Sequence, residues 1–213
     1  MGKYYISINQ LADFSVATKS SKRRIIKQQV TPNKLLIPWY QLSKSRIKKY
    51  FKEHFDSTTI QEGIKILKDK KPISTRQITD RRVSIEALER FILIRLPKAL
   101  ENIEYTIIKP HKKTIIVNSV EIIVAPEIVI RGKFKSGIYK GKNVLGAIKI
   151  HISKTHPFEL KQTQYVATTI FDYLQKEVVE KDDIVLPQLC LCLDVFRGQY
   201  IAADNTSNKF IKK

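Results

Sequence analysis

Two residues of this chain, Glu127 and Lys149, have the types and the spacing that metal-assisted hydrolysis uses. Carboxylate oxygens are preferred ligands of Mg²⁺, and a lysine beside them can orient the attacking water or stabilise phosphate charge. Residues two apart on a strand share a face, so Ala147, Lys149 and His151 are expected to point the same way. Because Glu127 opens a neighbouring predicted strand, it can lie near that face. The pattern indicates one carboxylate metal ligand with its lysine.

Strands must hold these residues, and the apolar pattern changes where strands are expected. Apolar spacing of about 3.6 residues predicts helices over 7–17, 20–29, 38–55, 58–70 and 84–100. Alternating apolar residues predict strands over 105–109, 114–117, 120–124, 127–134 and 144–152. A helix over 160–176 and strands over 184–196 and 200–202 complete the chain.

This order predicts an α/β fold, with a layered central mixed sheet flanked by helices and an α-β-β-β-α-β core. A basic helical region is expected over residues 1–82, and the α/β core over residues 83–213. The first helix has a cap signature, since Gln10 follows three residues after Ser7.

The element order, the Pro126-Glu127 pair and the later Lys149 resemble the PD-(D/E)XK nuclease superfamily, and most of all its RecB-type branch. The resemblance covers roughly residues 84–202. It implies that Glu127 is the first metal-binding acid and that Lys149 is catalytic. It also implies that Gln162, on the helix after the lysine strand, supports the site.

The chain departs from this family at the second acid, where Ala147 stands instead of Asp or Glu. No acid occurs between Glu127 and Glu159. The resemblance therefore implies a degenerate, inactive site without a cofactor, in which the matching residues are vestigial. The alternative is an active Mg²⁺-dependent nuclease in which Glu86, Glu89 or Glu159 supplies the missing ligand.

The positive charge of the chain is large and uneven. There are 39 Lys+Arg against 20 Asp+Glu, a formal net charge of +19. Residues 1–55 contain twelve cations and two acids, and residues 131–154 contain seven cations and no acid. Such charge favours a polyanion, first of all nucleic acid, because each neutralised phosphate releases a counterion. The candidate nucleic-acid-binding residues are Lys22, Arg23, Arg24, Lys27, Arg131, Lys133, Lys135, Lys140, Lys142 and Lys154.

Composition also excludes several classes of protein. The sequence has no run of about 18 apolar residues, which a membrane span requires, and its N-terminus lacks the apolar stretch of a signal peptide. Cys190 and Cys192 stand too close along a strand for an ordinary disulfide, which favours a reducing compartment. We therefore expect a cytoplasmic protein with no membrane partner.

The expected function is binding of DNA or RNA without sequence specificity, as an accessory subunit beside a larger protein in a nucleic-acid-processing complex. A role in a defence complex is suggested by the family resemblance alone. Two alternatives stay open. One is the active nuclease with a relocated acid, and the other is a scaffold protein whose basic face binds an acidic protein partner.

Overall fold

The computed structural model describes residues 4–30 and 39–203. The helices are α1 (Ile8–Val16), α2 (Lys19–Val30), α3 (Gln41–Lys52), α4 (Thr58–Asp69), α5 (Thr75–Phe91), α6 (Lys98–Glu101) and α7 (Leu160–Tyr173), the last extended by a π-helical turn, Leu174–Val178. The strands are β1 (Tyr4–Ser7), β2 (Ile103–Ile107), β3 (Thr114–Val117), β4 (Val120–Ile123), β5 (Ile128–Phe134), β6 (Asn143–His151), β7 (Asp183–Asp194) and β8 (Gln199–Ala202).

Five strands form the larger sheet, in the order β2-β5-β6-β7-β8. The pairs β2–β5, β5–β6 and β7–β8 are antiparallel, whereas β6 and β7 are parallel. Parallel neighbours need a crossover connection, and α7 provides it between β6 and β7. Because Ile128 pairs with Ile148, the start of β5 lies beside the end of β6. This register sets the position of Glu127 relative to Lys149.

Three strands form a separate mixed sheet, in the order β1-β4-β3. β1 runs parallel to β4, with Tyr4 opposite Val120, and β3 and β4 form a hairpin. The α/β class predicted from the sequence is confirmed, but the strands are divided between two sheets rather than one. The reason is that the β3–β4 hairpin, which falls between β2 and β5 in the chain, pairs with the short strand β1.

Helices cover both faces of the five-stranded sheet. Alternate residues of β5 and β6 point to opposite faces, so Ile128 and Ile148 join one core cluster while Val129 and Ala147 join the other. The first cluster packs the sheet against α3, α4 and α5. The second packs it against α7, α1 and the small sheet. The result is a layered arrangement with the five-stranded sheet in the middle.

The prediction that a helix starts at Ser84 and continues past Pro97 is wrong. α5 begins at Thr75, because Ser74 caps it by accepting a hydrogen bond from the Gln77 N–H, at 3.3 Å, and no Gly or Pro interrupts the chain before Phe91. Ser84 lies buried in the middle of α5. Pro97 stands at the N-cap of the separate helix α6, consistent with its inability to donate a backbone hydrogen bond.

The predicted division between residues 82 and 83 falls inside α5. Side chains from both sides of it share the first core cluster, in which Ile47 and Phe51 of α3 join Ile128 and Ile148 of the sheet. Cys190 and Cys192 are buried free thiols in the second cluster. Across the two described ranges, no helix combines the length and the apolar character that crossing a membrane requires.

Candidate functional site

The structure brings Glu127 and Lys149 together at one end of the five-stranded sheet. Lys149 Nζ lies 3.4 Å from Glu127 Oε1, and the two side chains are 10% and 9% exposed. Glu127 immediately precedes β5 and Lys149 is near the end of β6, so the strand register holds both in place. This end is also where the parallel strands β6 and β7 reach their carboxyl termini, the usual place for ligands in open α/β sheets.

A second lysine, which the sequence analysis did not include in the site, completes the environment of Glu127. Lys44 of α3 donates to Glu127 Oε1 at 3.2 Å, and the Ile150 N–H donates to Oε2 at 2.8 Å. Burial raises the pKa of Glu127, but the two ammonium groups and these donors outweigh burial, so the pKa lies below its ordinary value. Glu127 is therefore a carboxylate already satisfied by protein donors.

The Mg²⁺ site that the active-nuclease alternative requires does not fit these contacts. Both oxygens of Glu127 face positively polarised hydrogens, and Ala147 contributes no oxygen to the same face of β6. Mg²⁺ is held through carboxylates or phosphates and tolerates little deviation from octahedral geometry. In residues 4–30 and 39–203, no group of three or more His, Cys, Asp or Glu side chains is arranged to hold a metal ion. The position beside Glu127 is occupied by cationic side chains instead.

Gln162 lies in the first turn of α7, where its side chain makes two hydrogen bonds. Its Oε1 accepts from the Glu159 N–H at 2.8 Å, and its Nε2 donates to Asp13 Oδ1 at 2.9 Å. These bonds tie α1 to the start of α7. Gln162 and Glu127 share no hydrogen bond in the described part of the chain.

The acids proposed as relocated ligands do not reach Glu127 either. Glu86 is bound by Lys154 at 2.6 Å and by Arg90 at 3.0 Å, and these hydrogen bonds lower its pKa. Glu89 is exposed on α5, and Glu159 stands at the N-cap of α7. No ion pair or hydrogen bond joins any of the three to Glu127 within the two described ranges. The residues that the active-nuclease alternative requires are therefore engaged or located elsewhere.

Beside the Glu127–Lys149 pair, a concave groove of about 720 Å³ opens between α3, the end of β2 and the start of β5. Its charged lining residues are Lys48, Lys49, Lys52, Lys109, Lys113, Glu53 and Glu127. We call the five lysines with Glu127 the lysine groove. Lys49 pairs with Glu53 and Glu62 at 3.6 and 3.7 Å. The other four lysines are exposed and have no ion-pair partner among the described residues. The groove therefore has an excess of available positive charge.

The wall of the lysine groove contains a residue with unusual backbone geometry. Ala125 has φ of 36°, in a region that residues with a Cβ rarely adopt. The Ala125 carbonyl accepts a hydrogen bond from Lys149 Nζ at 2.9 Å, and its N–H donates to the Lys113 carbonyl at 3.2 Å. Lys149 therefore fixes both the carboxylate of Glu127 and the backbone that leads into β5.

No family model, curated protein or solved structure matches this chain. The chemistry of the groove is therefore argued from its own contacts and charges.

The predicted hairpin cations lie at the opposite end of the sheet from the lysine groove. β5 advances about 3.4 Å per residue, so Lys133 stands about 20 Å from Glu127. We use the name hairpin lysines for Lys133, Lys135, Lys140 and Lys142. All four are exposed, and within the described residues none has an ion-pair partner. Arg131 is different, because it pairs with Glu180 and Asp183, both at 2.9 Å.

The remaining predicted contacts are divided between other surfaces. Lys154 pairs with Glu86 at 2.6 Å. On α2, Arg23, Arg24 and Lys27 are exposed, whereas the Lys22 ammonium lies 5.1 Å from the centre of the Phe14 ring. None of these cations lines the lysine groove.

One feature of the sequence indicates the lysine groove. Lys44, Lys48 and Lys52 follow at four-residue intervals, so they lie on one face of α3. The spacing shows that these lysines share a face of α3. Which surface that face lies beside depends on how α3 docks on the sheet, and the sequence does not specify this.

His151 shares the face of β6 that carries Lys149, and its ring is held by three neighbours. It stacks on Phe158 with 3.5 Å between ring centroids, and its Nε2 lies 2.9 Å from the His156 carbonyl oxygen. Asp194 lies 4.0 Å away and accepts from the Phe158 N–H at 2.6 Å. Burial lowers the pKa of His151. These contacts anchor the loop between β6 and α7.

Proposed function

We propose that this protein binds the phosphate backbone of nucleic acid in the lysine groove, without reading base sequence. The observation that carries the proposal is the concentration of five lysines around a concavity next to a carboxylate that two further ammonium groups neutralise. Cations in a cleft with low-dielectric walls focus their field on a polyanion. Lysine contacts to phosphate carry no base information, which accounts for the expected lack of sequence specificity.

We further propose that the α/β core is a degenerate member of the PD-(D/E)XK type. Support comes from the neighbouring order β2-β5-β6-β7, with α5 before it, α7 between β6 and β7, and the β3–β4 hairpin as an insertion. Glu127 and Lys149 then occupy the positions of the family's acid and lysine. The contacts of Glu127 favour binding over cleavage, because both of its oxygens accept hydrogen bonds from protein donors.

We propose a cytoplasmic location and a role as accessory subunit of a nucleic-acid-processing complex. The buried free thiols Cys190 and Cys192 agree with a reducing compartment. A binding protein whose described residues form no metal-binding cluster would act by holding nucleic acid for a catalytic partner. A defence role is carried by the family resemblance alone.

The test is fluorescence anisotropy with labelled single- and double-stranded DNA and RNA at about 100 mM salt, where non-specific binding is still measurable. The groove variant combines Lys48→Glu, Lys52→Glu and Lys109→Glu. The matched control combines Lys133→Glu, Lys135→Glu and Lys142→Glu, which changes the net charge by the same amount. We expect the groove variant to lose affinity by at least on the order of tenfold and the control by much less, because surrounding cations act together at a concave site.

Equal losses of affinity in both variants would show that positive charge promotes binding wherever it lies on the surface. The lysine groove would then not be a specific binding site. Absence of binding by the wild-type protein to all four nucleic acids would overturn the proposal and favour an acidic protein partner. A moderate loss in the control would assign the hairpin lysines to a second contact on the same strand.

The degenerate-nuclease part of the proposal has its own test, the variant Ala147→Glu. Position 147 is where the family's second acid would stand, so we expect weak Mg²⁺- or Mn²⁺-dependent cleavage to appear in this variant. Ala147→Gln is the matched control, with the same size and no charge. Circular dichroism checks that both variants fold. If folded Ala147→Glu cleaves no better than Ala147→Gln, the assigned register is wrong, while groove binding is unaffected.

A further inference from the structure

A second groove with a different chemical lining lies against the second core cluster, and it shares no lining residue with the lysine groove. It has a volume of about 710 Å³ and runs between α1, α2, β1, the β3–β4 hairpin and α7. Its lining is mainly apolar and includes Leu11, Phe14, Ile25, Ile26, Ile115 and Ile122. We call it the apolar groove. Its volume falls within the range of about 300–1,000 Å³ that is usual for ligand sites.

Large apolar side chains at the mouth of the apolar groove are exposed to water. Tyr4 is 65% exposed, Tyr5 46% and Ile26 53%, whereas Ile115 on its floor is fully buried. Clustered apolar side chains of this size beside a concave surface are characteristic of protein interaction sites. Exposed tyrosines also supply large contact areas at little entropic expense.

Positive charge borders the apolar groove on the α2 side. α2 carries Lys19, Lys22, Arg23, Arg24 and Lys27 and contains no acid. One face of α2, including Ile25 and Ile26, lines the groove, while Arg23 and Arg24 remain exposed beside it. An occupant with apolar anchors and neighbouring acidic side chains would satisfy both features at once.

One acid, Asp172 of α7, also lines the apolar groove. Burial raises the pKa of Asp172, and the nearby Lys176 opposes this only in part. This single carboxylate is outnumbered by the five cations of α2, so positive charge dominates the border of the groove.

We propose that the apolar groove binds an amphipathic, acidic segment of a protein partner, with its apolar side chains in the groove and its carboxylates against α2. The lining is mainly apolar, and Lys22 is its one cation among the described residues, so it offers a phosphate backbone far fewer cationic contacts than the lysine groove does. A second copy of the chain is disfavoured as well, because each copy has a net charge of +19. This inference does not rest on nucleic-acid binding in the lysine groove.

The test is selection from a displayed library of random peptides of about 16 residues, which span about 24 Å as a helix. The full chain is the bait. We expect enriched peptides with an excess of Asp and Glu and with apolar residues at helical or alternating spacing. A synthesised enriched peptide should bind at least on the order of tenfold more weakly to Ile26→Asp, which introduces a carboxylate into the groove.

Ile73→Asp is the matched control, because Ile73 is 90% exposed and lies outside the apolar groove. It should bind the peptide as the wild type does. The double variant Arg23→Glu and Arg24→Glu should weaken binding and reduce its salt dependence. Thermal unfolding checks that all variants fold, which the exposure of the substituted side chains favours.

Enrichment of peptides without excess acidic residues, or equal binding to Ile26→Asp and Ile73→Asp, would overturn the proposal. It would also be overturned if Ile26→Asp lost affinity for labelled DNA or RNA while no peptide discriminated between the two variants. That outcome would assign the surface to nucleic acid.

Discussion

The two ends of the five-stranded sheet both carry lysines, but their surroundings differ. At the groove end, Lys149 and Lys44 hold the buried carboxylate of Glu127, and the lysine groove curves beside them. At the hairpin end, the hairpin lysines are exposed on a turn and the strands leading to it. A sequence count gives these regions similar charge. The structure gives one of them concavity and a buried counter-charge, and these properties are the reason that we propose binding in the lysine groove rather than at the hairpin lysines.

The largest expected difference between the two ends is in how much the loss of one carboxylate lowers the free energy of unfolding. Glu127→Ala leaves Lys149 buried without its carboxylate, and breaking a buried pair in this way lowers the free energy of unfolding by about 3–5 kcal/mol. At the hairpin end, Glu104 stands opposite Lys133 in the β2–β5 register and is exposed. Glu104→Ala should change stability by at most about 0.5 kcal/mol. Urea unfolding of both variants measures the contrast, and similar small losses would show that Glu127 is not structurally important.

The next difference concerns the salt dependence of nucleic-acid affinity. Each phosphate contact contributes a slope of about 0.7–0.9 to the fall of log K with log salt. Neutralising Lys48, Lys52 and Lys109 to Gln should therefore reduce the slope by about 2–3. The same change at Lys133, Lys135 and Lys142 should reduce it by less. Titrations at several salt concentrations give both slopes, and a larger reduction at the hairpin end would reverse the comparison.

Much of the local structure at both ends could be predicted from sequence. The cap signature of α1 is confirmed, since the Ser7 hydroxyl accepts from the Gln10 N–H at 3.2 Å and the Ser7 N–H donates to Gln10 Oε1 at 3.2 Å. The strands β5 and β6 begin and end within a residue of their predicted bounds. Both depend on contacts close in sequence or on the alternation of apolar residues, which are readable from a single chain.

The proximity of Glu127 and Lys149 was predicted from their strands and is confirmed, but the remaining contacts around the site could not be predicted, because they join distant segments. Lys44 reaches Glu127 across 83 positions, and Asp13 meets Gln162 across 149. Their existence depends on how α3 and α1 dock on opposite faces of the sheet. Strand β1 was missed for the same reason, since its four residues are stabilised by parallel pairing with the distant β4. Tertiary packing, rather than local propensity, decided these features.

Low pH should also destabilise the protein through the buried carboxylate at the groove end. The pKa of Glu127 lies below its ordinary value of 4.5, because its donors outweigh burial. As the pH falls below 4.5, residue 127 is therefore protonated in the unfolded chain before it is protonated in the folded chain. The stability that the carboxylate contributes is lost as the pH passes through the lower folded-state pKa. Glu127→Gln should remove this part of the acid destabilisation, whereas Glu104→Gln should retain it. Unfolding midpoints between about pH 6 and pH 3 test this, and identical acid profiles would contradict it.

The smallest expected effect is the contribution of His151, at the same end of the sheet, to the pH dependence of stability. Burial against Phe158 lowers the pKa of His151 below its ordinary value of 6.5. As the pH falls below 6.5, the unfolded chain takes up a proton that the folded chain does not, so stability declines by at most about 1.4 kcal/mol per pH unit. His151→Gln keeps a donor for the His156 carbonyl but does not titrate, so its stability should change less between about pH 6.5 and pH 5. If wild type and variant decline in parallel over this interval, the imidazole takes up its proton equally in both states, and the carboxylates carry the whole acid response of the groove end.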